Sequence, residues 1–315
     1  MVDRKVSAIS KQRHSTRYNI NQCVFYKLRS RRKCAELLHI TLPALNHLLK
    51  NSDNYRIFHI VSGSGAKPRL VEWPKPLLER VHRRLLVLLQ RIETPMYLHS
   101  GVKGRSYITN AREHTGCVAV AKLDIKSFYQ STTAAHVYSY FRNVMMCSKD
   151  VAELITNLVT IHNHVPTGSC VSQQIAFLAH KVMFDELNDI AHRNAIKMTC
   201  YVDDISFSGK HIPGTFLYVI KRIIKIRGLS YHKQKTYTFQ QPKLITGVVV
   251  SANGIRVRNR LHKAIHEGFN IVESMAHDEV SQEIINRLAG QINAASQIEP
   301  AFRGRRQRLA KASPK

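Results

Sequence analysis

The sequence predicts an α+β fold in which helices and short strands alternate within one continuous body. Three observations support this prediction. The chain has 315 residues, of which 44% are hydrophobic, so it is long enough to bury a large core. Apolar residues recur with helical spacing in some segments and alternate or run uninterrupted in others. No internal repeat or low-complexity linker breaks the pattern, which argues against a repeat protein or a disordered chain.

The elements can be taken in order along the chain. The patterns predict a helical region over 1–50, strands over 55–61 and 69–73, a helix over 75–92, a strand over 117–125, a helix over 172–191, a strand hairpin over 198–209, a helix over 216–226, a second hairpin over 243–258 and helices over 261–312.

Each prediction in the first half of the chain has its own signal. Thr41 is placed to cap a helix that begins with "LPAL", where proline takes the second helical position. The alternation in "YRIFHIV" and the Gly-rich "SGSGAKPR" after it are typical of a strand followed by a turn. Between 75 and 92, six leucines and valines fall on one side of a helix.

The second half is richer in strands. "CVAVAKLDI" (117–125) is a short apolar run of the kind found in a central strand covered on both faces. Apolar residues over 172–191 follow helical spacing. The runs "MTCYV" and "ISFSG" form a hairpin with Asp203 and Asp204 at its tip, and "SANG" supplies an Asn-Gly turn for the second hairpin.

The charge balance indicates a polyanionic partner. There are 48 Lys and Arg residues against 21 Asp and Glu, a formal net charge of +27. Nucleic acid is favoured over an acidic protein or a membrane surface because the basic residues are spread along the chain. The six cysteines have no C-x-x-C spacing, and the N-terminus has no apolar signal core. A reduced, cytoplasmic protein without a membrane segment is therefore expected.

Acidic residues are scarce, so their positions are informative. Asp124 ends an apolar strand, and Asp203 and Asp204 are adjacent between two strands. A strand-terminal aspartate is often only a cap, and paired aspartates are often only a turn. Here the flanking residues offer no Gly, Asn or Pro for an ordinary turn. Carboxylates that converge would repel one another unless divalent cations lay between them, which indicates phosphoryl transfer by a polymerase or a nuclease.

The surrounding motifs resemble those of reverse transcriptases. "LDIKSFYQS" (123–131) and "YVDD" (201–204) look like the two catalytic palm motifs, with "VPTGSCVSQ" (165–173) and "GLSYHKQKTYTF" (228–239) in the places of two others. "TNAREH" (109–114) and "LITGVVV" (244–250) are similar to the N-A-x-x-H and V-T-G patterns of bacterial retron reverse transcriptases. The chain departs from the family at Thr167, where glutamine is usual, at Gln173, where proline is usual, and at Ile245, where valine is usual.

The resemblance implies a role for each matching residue. Asp124, Asp203 and Asp204, with the backbone carbonyl of Ile125, would hold two Mg²⁺ ions, for which Mn²⁺ is an alternative. Lys235, with Lys233 as the competing choice, would protonate the departing pyrophosphate. Tyr129, with Phe128 as the fallback, would exclude the ribose 2′-OH of an incoming nucleotide. The remaining substrate contacts would come from Lys103, Arg105, Thr167 and Gly168.

Residues that would contact RNA are predicted as well. The resemblance implies Asn110, His114, Thr246 and Gly247, and the basic stretch "RGRRQR" (303–308) adds Arg305 and Arg306. A structural role remains the favoured interpretation of His114, because a lone histidine is more often a satisfied core residue, and Asn110 and His114 would brace the RNA-binding surface if the segment is helical.

The resemblance also implies a right-hand polymerase with fingers, palm and a small helical thumb. The N-terminal helical region would be 1–50, the fingers and palm elements 51–116 and 132–195, the catalytic palm 117–131 and 196–250, and the thumb with its basic tail 251–315. Such an enzyme would bind its cognate structured noncoding RNA, prime from an RNA 2′-OH, use dNTPs to make branched msDNA, and act in anti-phage defence with a separately encoded effector. Another bacterial reverse transcriptase and a catalytically silent RNA-binding scaffold are the alternatives.

Overall fold

The computed structural model is an α+β fold, and it describes residues 17–61, 68–238, 241–274 and 281–312. The helices are α1 (Arg31–Leu37), α2 (Leu42–Lys50), α3 (Pro76–Leu89), α4 (Tyr107–Arg112), α5 (Phe128–Ser131), α6 (Ala134–Ser139), α7 (Lys149–Val159), α8 (Ser172–Ala179), α9 (Lys181–Arg193), α10 (Gly214–Ile226), α11 (Asn259–Ser274), α12 (Gln282–Ile298) and α13 (Arg303–Ala312). The strands are β1 (Tyr55–Ile60), β2 (Arg69–Pro74), β3 (Ala119–Ile125), β4 (Lys197–Tyr201), β5 (Asp204–Gly209), β6 (Tyr231–Tyr237), β7 (Lys243–Ile245), β8 (Val248–Ser251) and β9 (Gly254–Arg256).

The chain divides into two compact units. The first comprises Met1–Glu93, Tyr138–Ile161 and Pro166–Gln174, and the second comprises Thr94–Val137, His162–Val165 and Ile175–Lys315. In the first unit β1 and β2 form an antiparallel pair, and α1, α2 and α7 pack together. The helix α2 begins as predicted, because the Thr41 side chain accepts a hydrogen bond from the Ala44 N–H.

The second unit contains a four-stranded antiparallel sheet in the order β4-β5-β3-β6. The apolar strand β3 lies inside this sheet, and Leu123 and Ile125 are fully buried. A three-stranded antiparallel sheet, β7-β8-β9, and the helices α11, α12 and α13 form a second apolar core in the same unit.

Two predicted elements differ in detail from the structure. The single helix predicted over 172–191 is instead two helices, because the backbone of His180 leaves helical geometry (ψ 9°) between α8 and α9. The second hairpin is instead a three-stranded meander, because Thr246 and Gly247 both take positive φ angles and turn the chain inside "KLITGVVV". Within the predicted N-terminal region 1–50 the structure has the helices α1 and α2, and residues 1–16 lie outside the described residues.

Several elements were not predicted, and β6 and α7 are two of them. The strand β6 is mostly exposed and polar, so its sequence lacks a buried apolar face. The helix α7 is well buried, with Val151, Ile155 and Leu158 among its core residues. Within the described ranges, every helix is too short or too polar to cross a membrane.

Candidate active site

The paired strands bring the three predicted carboxylates to the same end of the four-stranded sheet. Asp124 at the end of β3 lies directly opposite Asp204 at the start of β5 in the antiparallel register. The Ile125 N–H donates to the Asp203 carbonyl oxygen at 3.0 Å, which fixes the tip of the β4–β5 hairpin beside the end of β3. Asp124 and Asp203 are 79 positions apart in the sequence (203 − 124). The pairing of β3 with β5 nevertheless brings them close together in space.

The hairpin tip has an unusual backbone. Val202 has φ 59°, in the left-handed region that β-branched residues rarely adopt. Its N–H donates to the Ser100 hydroxyl at 2.9 Å, so a neighbouring loop supports the turn. The tight turn is thus made without the Gly, Asn or Pro residues that usually form one.

The carboxylates influence one another electrostatically. Burial raises the pKa of Asp203, and the negative charges of Asp124 and Asp204 raise it further. Burial also raises the pKa of Asp204, with Asp124 adding to the effect and the Lys122 ammonium opposing it. Because Asp203 and Asp204 resist ionisation, a positive charge close to them would stabilise their ionised forms.

Lysine and histidine side chains lie close to this site. Lys122 Nζ lies 3.8 Å from Asp204 Oδ1. On the other side of Asp124, its Oδ2 atom lies 3.7 Å from His232 Nε2 and 4.0 Å from Lys233 Nζ. Neither Lys122 nor His232 was predicted. A signal for Lys122 was present, because it precedes Asp124 by two positions and therefore shares its face of the strand.

The chemistry of this donor set fits magnesium. Carboxylate oxygens and a backbone carbonyl are the hard ligands that Mg²⁺ and Mn²⁺ prefer. Among the residues that the structure describes, no three His, Cys, Asp or Glu side chains already converge as a metal-ligand set. The carboxylates of Asp124 and Asp204 contact lysine and histidine side chains instead. The part of Ile125 as a ligand remains a prediction.

The two aromatic residues after Asp124 differ in accessibility. Phe128 is buried in the core at 3% exposure, whereas Tyr129 is only partly buried. Burial and the nearby Asp203 carboxylate raise the pKa of Tyr129 to about 12, which places the Tyr129 phenol within the electrostatic field of the carboxylates. This geometry favours Tyr129 over Phe128 as the predicted sugar gate, the ring that would exclude the ribose 2′-OH of an incoming nucleotide.

The two candidate general acids lie at different distances from the carboxylates. Lys233 is opposite Asp124 in the β3–β6 register, whereas Lys235 is opposite Lys122. The Lys235 ammonium lies over the Tyr237 ring, 4.9 Å from its centroid. The geometry therefore favours Lys233, the competing choice, over Lys235.

The loop "GVKGRSY" has two distinct cationic residues. The Arg105 guanidinium donates to the carbonyl oxygens of Pro95 at 2.7 Å and Leu98 at 2.6 Å, so it organises its own loop. Lys103 is exposed and better placed than Arg105 to bind a triphosphate. Both triphosphate contacts remain predictions.

The N-A-x-x-H and T-G patterns meet in the structure. Asn110 Nδ2 lies 3.5 Å from Thr246 Oγ1, and that hydroxyl donates to the Tyr107 carbonyl at 2.8 Å. His114 is fully buried, with its ring nitrogens 2.6 Å from the Ser208 hydroxyl and 2.7 Å from the Thr199 hydroxyl. Because Asn110 and His114 are both buried, they can brace a binding surface but do not form one.

Thr167 and Gly168 lie in the first unit, where both contact β2. The Thr167 hydroxyl donates to the Leu70 carbonyl at 2.8 Å and lies 3.3 Å from the Glu72 N–H, from which it accepts. A Cβ atom on Gly168 would lie 2.8 Å from the Glu72 carbonyl oxygen. The hydroxyl of Thr167 is thus used by β2, which does not favour the predicted contact with a nucleotide.

The two predicted arginines near the C-terminus lie on α13, and both are exposed. Arg305 stacks on the Phe302 ring at 4.6 Å and lines a groove with His262, Lys263 and His266 of α11. Arg306 lines a second groove with Arg303. The RNA contacts predicted for Arg305 and Arg306 would therefore fall on a strongly basic surface.

Comparison with known proteins bears directly on these predictions. No family model matches the chain. The retron Se72 reverse transcriptase of Salmonella heidelberg is 33% identical over 177 residues, which cover 55% of this chain and 46% of that protein. The retron Mx65 reverse transcriptase of Myxococcus xanthus is 28% identical over 280 residues, 79% of this chain and 65% of that protein. The retron Ec83 reverse transcriptase of Escherichia coli is 23% identical over 282 residues, 82% of this chain and 88% of that protein.

The matches differ in how much of each relative they cover. The chain spans about half the length of the Salmonella protein and less than two thirds of the Mx65 protein. Several relatives nevertheless have the same kind of name and match across most of this chain. The resemblance that the motifs predict is therefore confirmed: this chain is similar in sequence to several retron reverse transcriptases.

Proposed function

We propose that this chain is a retron-type RNA-directed DNA polymerase. The single observation that carries the proposal is the cross-strand pairing of Asp124 with Asp204, beside Asp203 at the hairpin tip. This pairing supports the proposal because the acidic residues of two motifs that resemble those of reverse transcriptases are neighbours, in a chain similar to proteins that are named reverse transcriptases. In this proposal the four-stranded sheet belongs to the palm, the first unit contributes fingers, and α11 to α13 form the thumb.

The side chains at the site would divide the work of nucleotide addition. Asp124, Asp203 and Asp204 would hold two Mg²⁺ ions, or Mn²⁺ in their place, which supply activation of the attacking oxygen and stabilisation of the leaving oxygen. Tyr129 would stand against the sugar of the incoming dNTP and clash with a ribose 2′-OH. Lys233 or Lys235 would protonate the pyrophosphate as it leaves.

The partners follow from the retron relationship and the charge. A net charge of +27 suits the binding of a structured RNA, and the exposed arginines of α13 would contact its phosphates. The enzyme would prime from a 2′-OH of its cognate noncoding RNA and copy part of that RNA into branched msDNA. In the cytoplasm it would serve anti-phage defence together with a separately encoded effector.

Primer extension on a structured RNA with dNTPs and Mg²⁺ tests the polymerase proposal. Asp203→Asn removes one carboxylate charge and is expected to reduce extension by at least about 100-fold, because the metal site loses a ligand. Asp189→Asn, at an exposed position on α9, makes the same chemical change away from the site and is the matched control. Extension by Asp203→Asn at the wild-type rate would show that the site is wrongly assigned.

A separate experiment tests the retron part of the proposal. Nucleic acid that co-purifies with the protein from its native host can be sequenced and treated with a debranching enzyme. A DNA joined to RNA through a 2′,5′ linkage is the expected product. Recovery of ordinary cellular RNA alone would contradict the retron assignment and would indicate a polymerase of another kind.

A further inference from the structure

The predicted sugar gate lies on a helix that is too short to hold its own position. The helix α5 has only four residues, Phe128–Ser131, and Ser127 before it takes a left-handed backbone with φ 48°. A single helical turn is not stable alone, because nucleation fixes several dihedral angles for very few hydrogen bonds. The position of Tyr129 therefore depends on what holds α5 from outside.

A chain of hydrogen bonds connects α5 to a buried histidine. The Thr132 hydroxyl donates to the Phe128 carbonyl at 2.8 Å, and His180 Nε2 lies 3.2 Å from that hydroxyl. A hydroxyl has one proton, and Thr132 gives it to Phe128, so it accepts from His180. The histidine must then carry its proton on Nε2. Both Thr132 and His180 are buried, at 0% and 3% exposure.

The same histidine also packs on α5. The Phe128 ring lies 5.7 Å from the His180 ring and 6.2 Å from the Phe184 ring, measured between centroids. The His180 ring also lies 4.6 Å from the His136 ring, measured between centroids. His136 Nδ1 accepts from the Thr133 N–H at 3.1 Å, so the segment after α5 is held in the same cluster.

The His180 ring is suited to act as a fixed hydrogen-bond donor. Burial lowers its pKa to about 3, with a smaller contribution from His136. The ring therefore remains neutral near pH 7, with one N–H and one acceptor nitrogen. It lies at the break between α8 and α9, and none of the catalytic roles proposed above uses it.

We propose that His180 is a positioning residue for nucleotide selection. Through the Thr132 hydroxyl and the Phe128 ring it holds α5 so that the Tyr129 ring stands where it excludes a ribose 2′-OH. This inference rests on the proposed polymerase function and on Tyr129 as the gate. It predicts that loss of the hydrogen-bond chain lowers the discrimination between dNTPs and rNTPs while Tyr129 itself is intact.

Single-nucleotide extension with a dNTP and the corresponding rNTP measures this discrimination as a ratio of kcat/KM values. His180→Phe keeps the ring packing and removes the donor, and Thr132→Val keeps the shape and removes the hydroxyl. Each is expected to lower the ratio about fivefold, the factor that corresponds to one neutral hydrogen bond. Thr132→Ser keeps the hydroxyl and is expected to retain the wild-type ratio. Tyr129→Ala gives the full effect of losing the gate.

Thr156→Val is the matched control. The Thr156 hydroxyl is buried and donates to the carbonyl four residues earlier at 2.8 Å, as Thr132 does, but it lies in α7 of the first unit. If the Thr132 hydroxyl only stabilises the fold, Thr132→Val and Thr156→Val should lower stability to a similar extent. The ratio of kcat/KM values for dNTP and rNTP should then be unchanged in both variants. If His180→Phe fails to fold, the ratio measured for Thr132→Val tests the inference by itself.

The outcomes separate this inference from the proposed function. A reduced ratio in folded Thr132→Val and His180→Phe, with wild-type ratios in Thr132→Ser and Thr156→Val, supports the inference. Wild-type polymerisation with an unchanged ratio in folded Thr132→Val overturns it and leaves the proposed function standing. A wild-type protein that extends no primer overturns both.

Discussion

The buried histidine of the N-A-x-x-H pattern makes the free energy of unfolding depend on pH to an extent that can be calculated. Burial, with a smaller contribution from the Lys197 charge, lowers the pKa of His114 to about 3. In the unfolded chain its pKa is about 6.5. Between these values the unfolded chain binds a proton that the folded protein does not. Stability must therefore fall as the pH falls through this range.

The size of the effect follows from the two pKa values. Near the middle of the range one such group changes the free energy of unfolding by about 1.4 kcal/mol per pH unit. From pH 7.5 to pH 4.5 the His114 contribution falls by about 3 kcal/mol. His82 and His180 are also buried with lowered pKa values, so they too lower the free energy of unfolding as the pH falls. The raised pKa values of Asp203 and Asp204 act with the opposite sign, because these carboxylates gain protons more readily when folded.

A difference measurement isolates His114 from the other titrating groups. His114→Gln keeps a side-chain donor and acceptor near Ser208 and Thr199 but cannot titrate. Denaturant unfolding at several pH values, followed by a tertiary-structure signal, gives the free energy of wild type and variant. The wild-type advantage is expected to shrink by about 3 kcal/mol between pH 7.5 and 4.5.

The exposed His192 supplies the matched control. His192→Gln on α9 is a histidine-to-glutamine change in the same unit without burial. It makes the same chemical change at an exposed position, so the His114→Gln difference is compared with the His192→Gln difference at each pH. A wild-type advantage over His114→Gln that stays constant from pH 7.5 to 4.5 would refute the reasoning, because His114 would then titrate alike in both states.

Three further predictions concern single positions. Gly168→Ala places a methyl group 2.8 Å from the Glu72 carbonyl oxygen and is expected to cost about 1–3 kcal/mol, seen as a lower melting temperature. Lys233→Ala is expected to lower the rate of nucleotide addition about 100-fold and Lys235→Ala much less, in single-turnover assays; the reverse order would restore Lys235 as the general acid. Thr41→Ala removes the cap of α2 and is expected to cost about 1 kcal/mol in denaturant unfolding, whereas Thr41→Ser should cost little.

The sequence was sufficient where local rules decide the structure. The cap at Thr41 and the hairpin that bears Asp203 and Asp204 depend on neighbouring residues, and both were predicted correctly. The strand β6 depends on its pairing with β3, which a local pattern cannot show. Its exposed basic residues resemble a loop when they are viewed without their partner strand. The break at His180 was missed for a related reason, because the apolar spacing continues across it.

The prediction of the candidate site depended on the sequence motifs more than on the amino-acid composition. Scarce acidic residues indicated where chemistry could occur, but the register that sets Asp124 opposite Asp204 is a long-range property of the sheet. The resemblance to reverse transcriptases predicted that these carboxylates meet, but it did not predict the register that brings them together. It did not supply Lys122 or His232, which lie beside the carboxylates because β3 and β6 place them there.

The strained turn explains how two adjacent aspartates can share one site. Successive residues of a strand point to opposite faces, so in regular structure Asp203 and Asp204 could not both lie near Asp124. Instead β4 ends at Tyr201, Val202 takes its left-handed conformation, and Asp203 lies in the turn before β5 begins. The charge of Asp124 raises the pKa of Asp203 and of Asp204, so both residues interact electrostatically with the same carboxylate. A backbone strain of about 1–3 kcal/mol is typical of such a residue, and here it places acidic side chains together that a regular hairpin would separate.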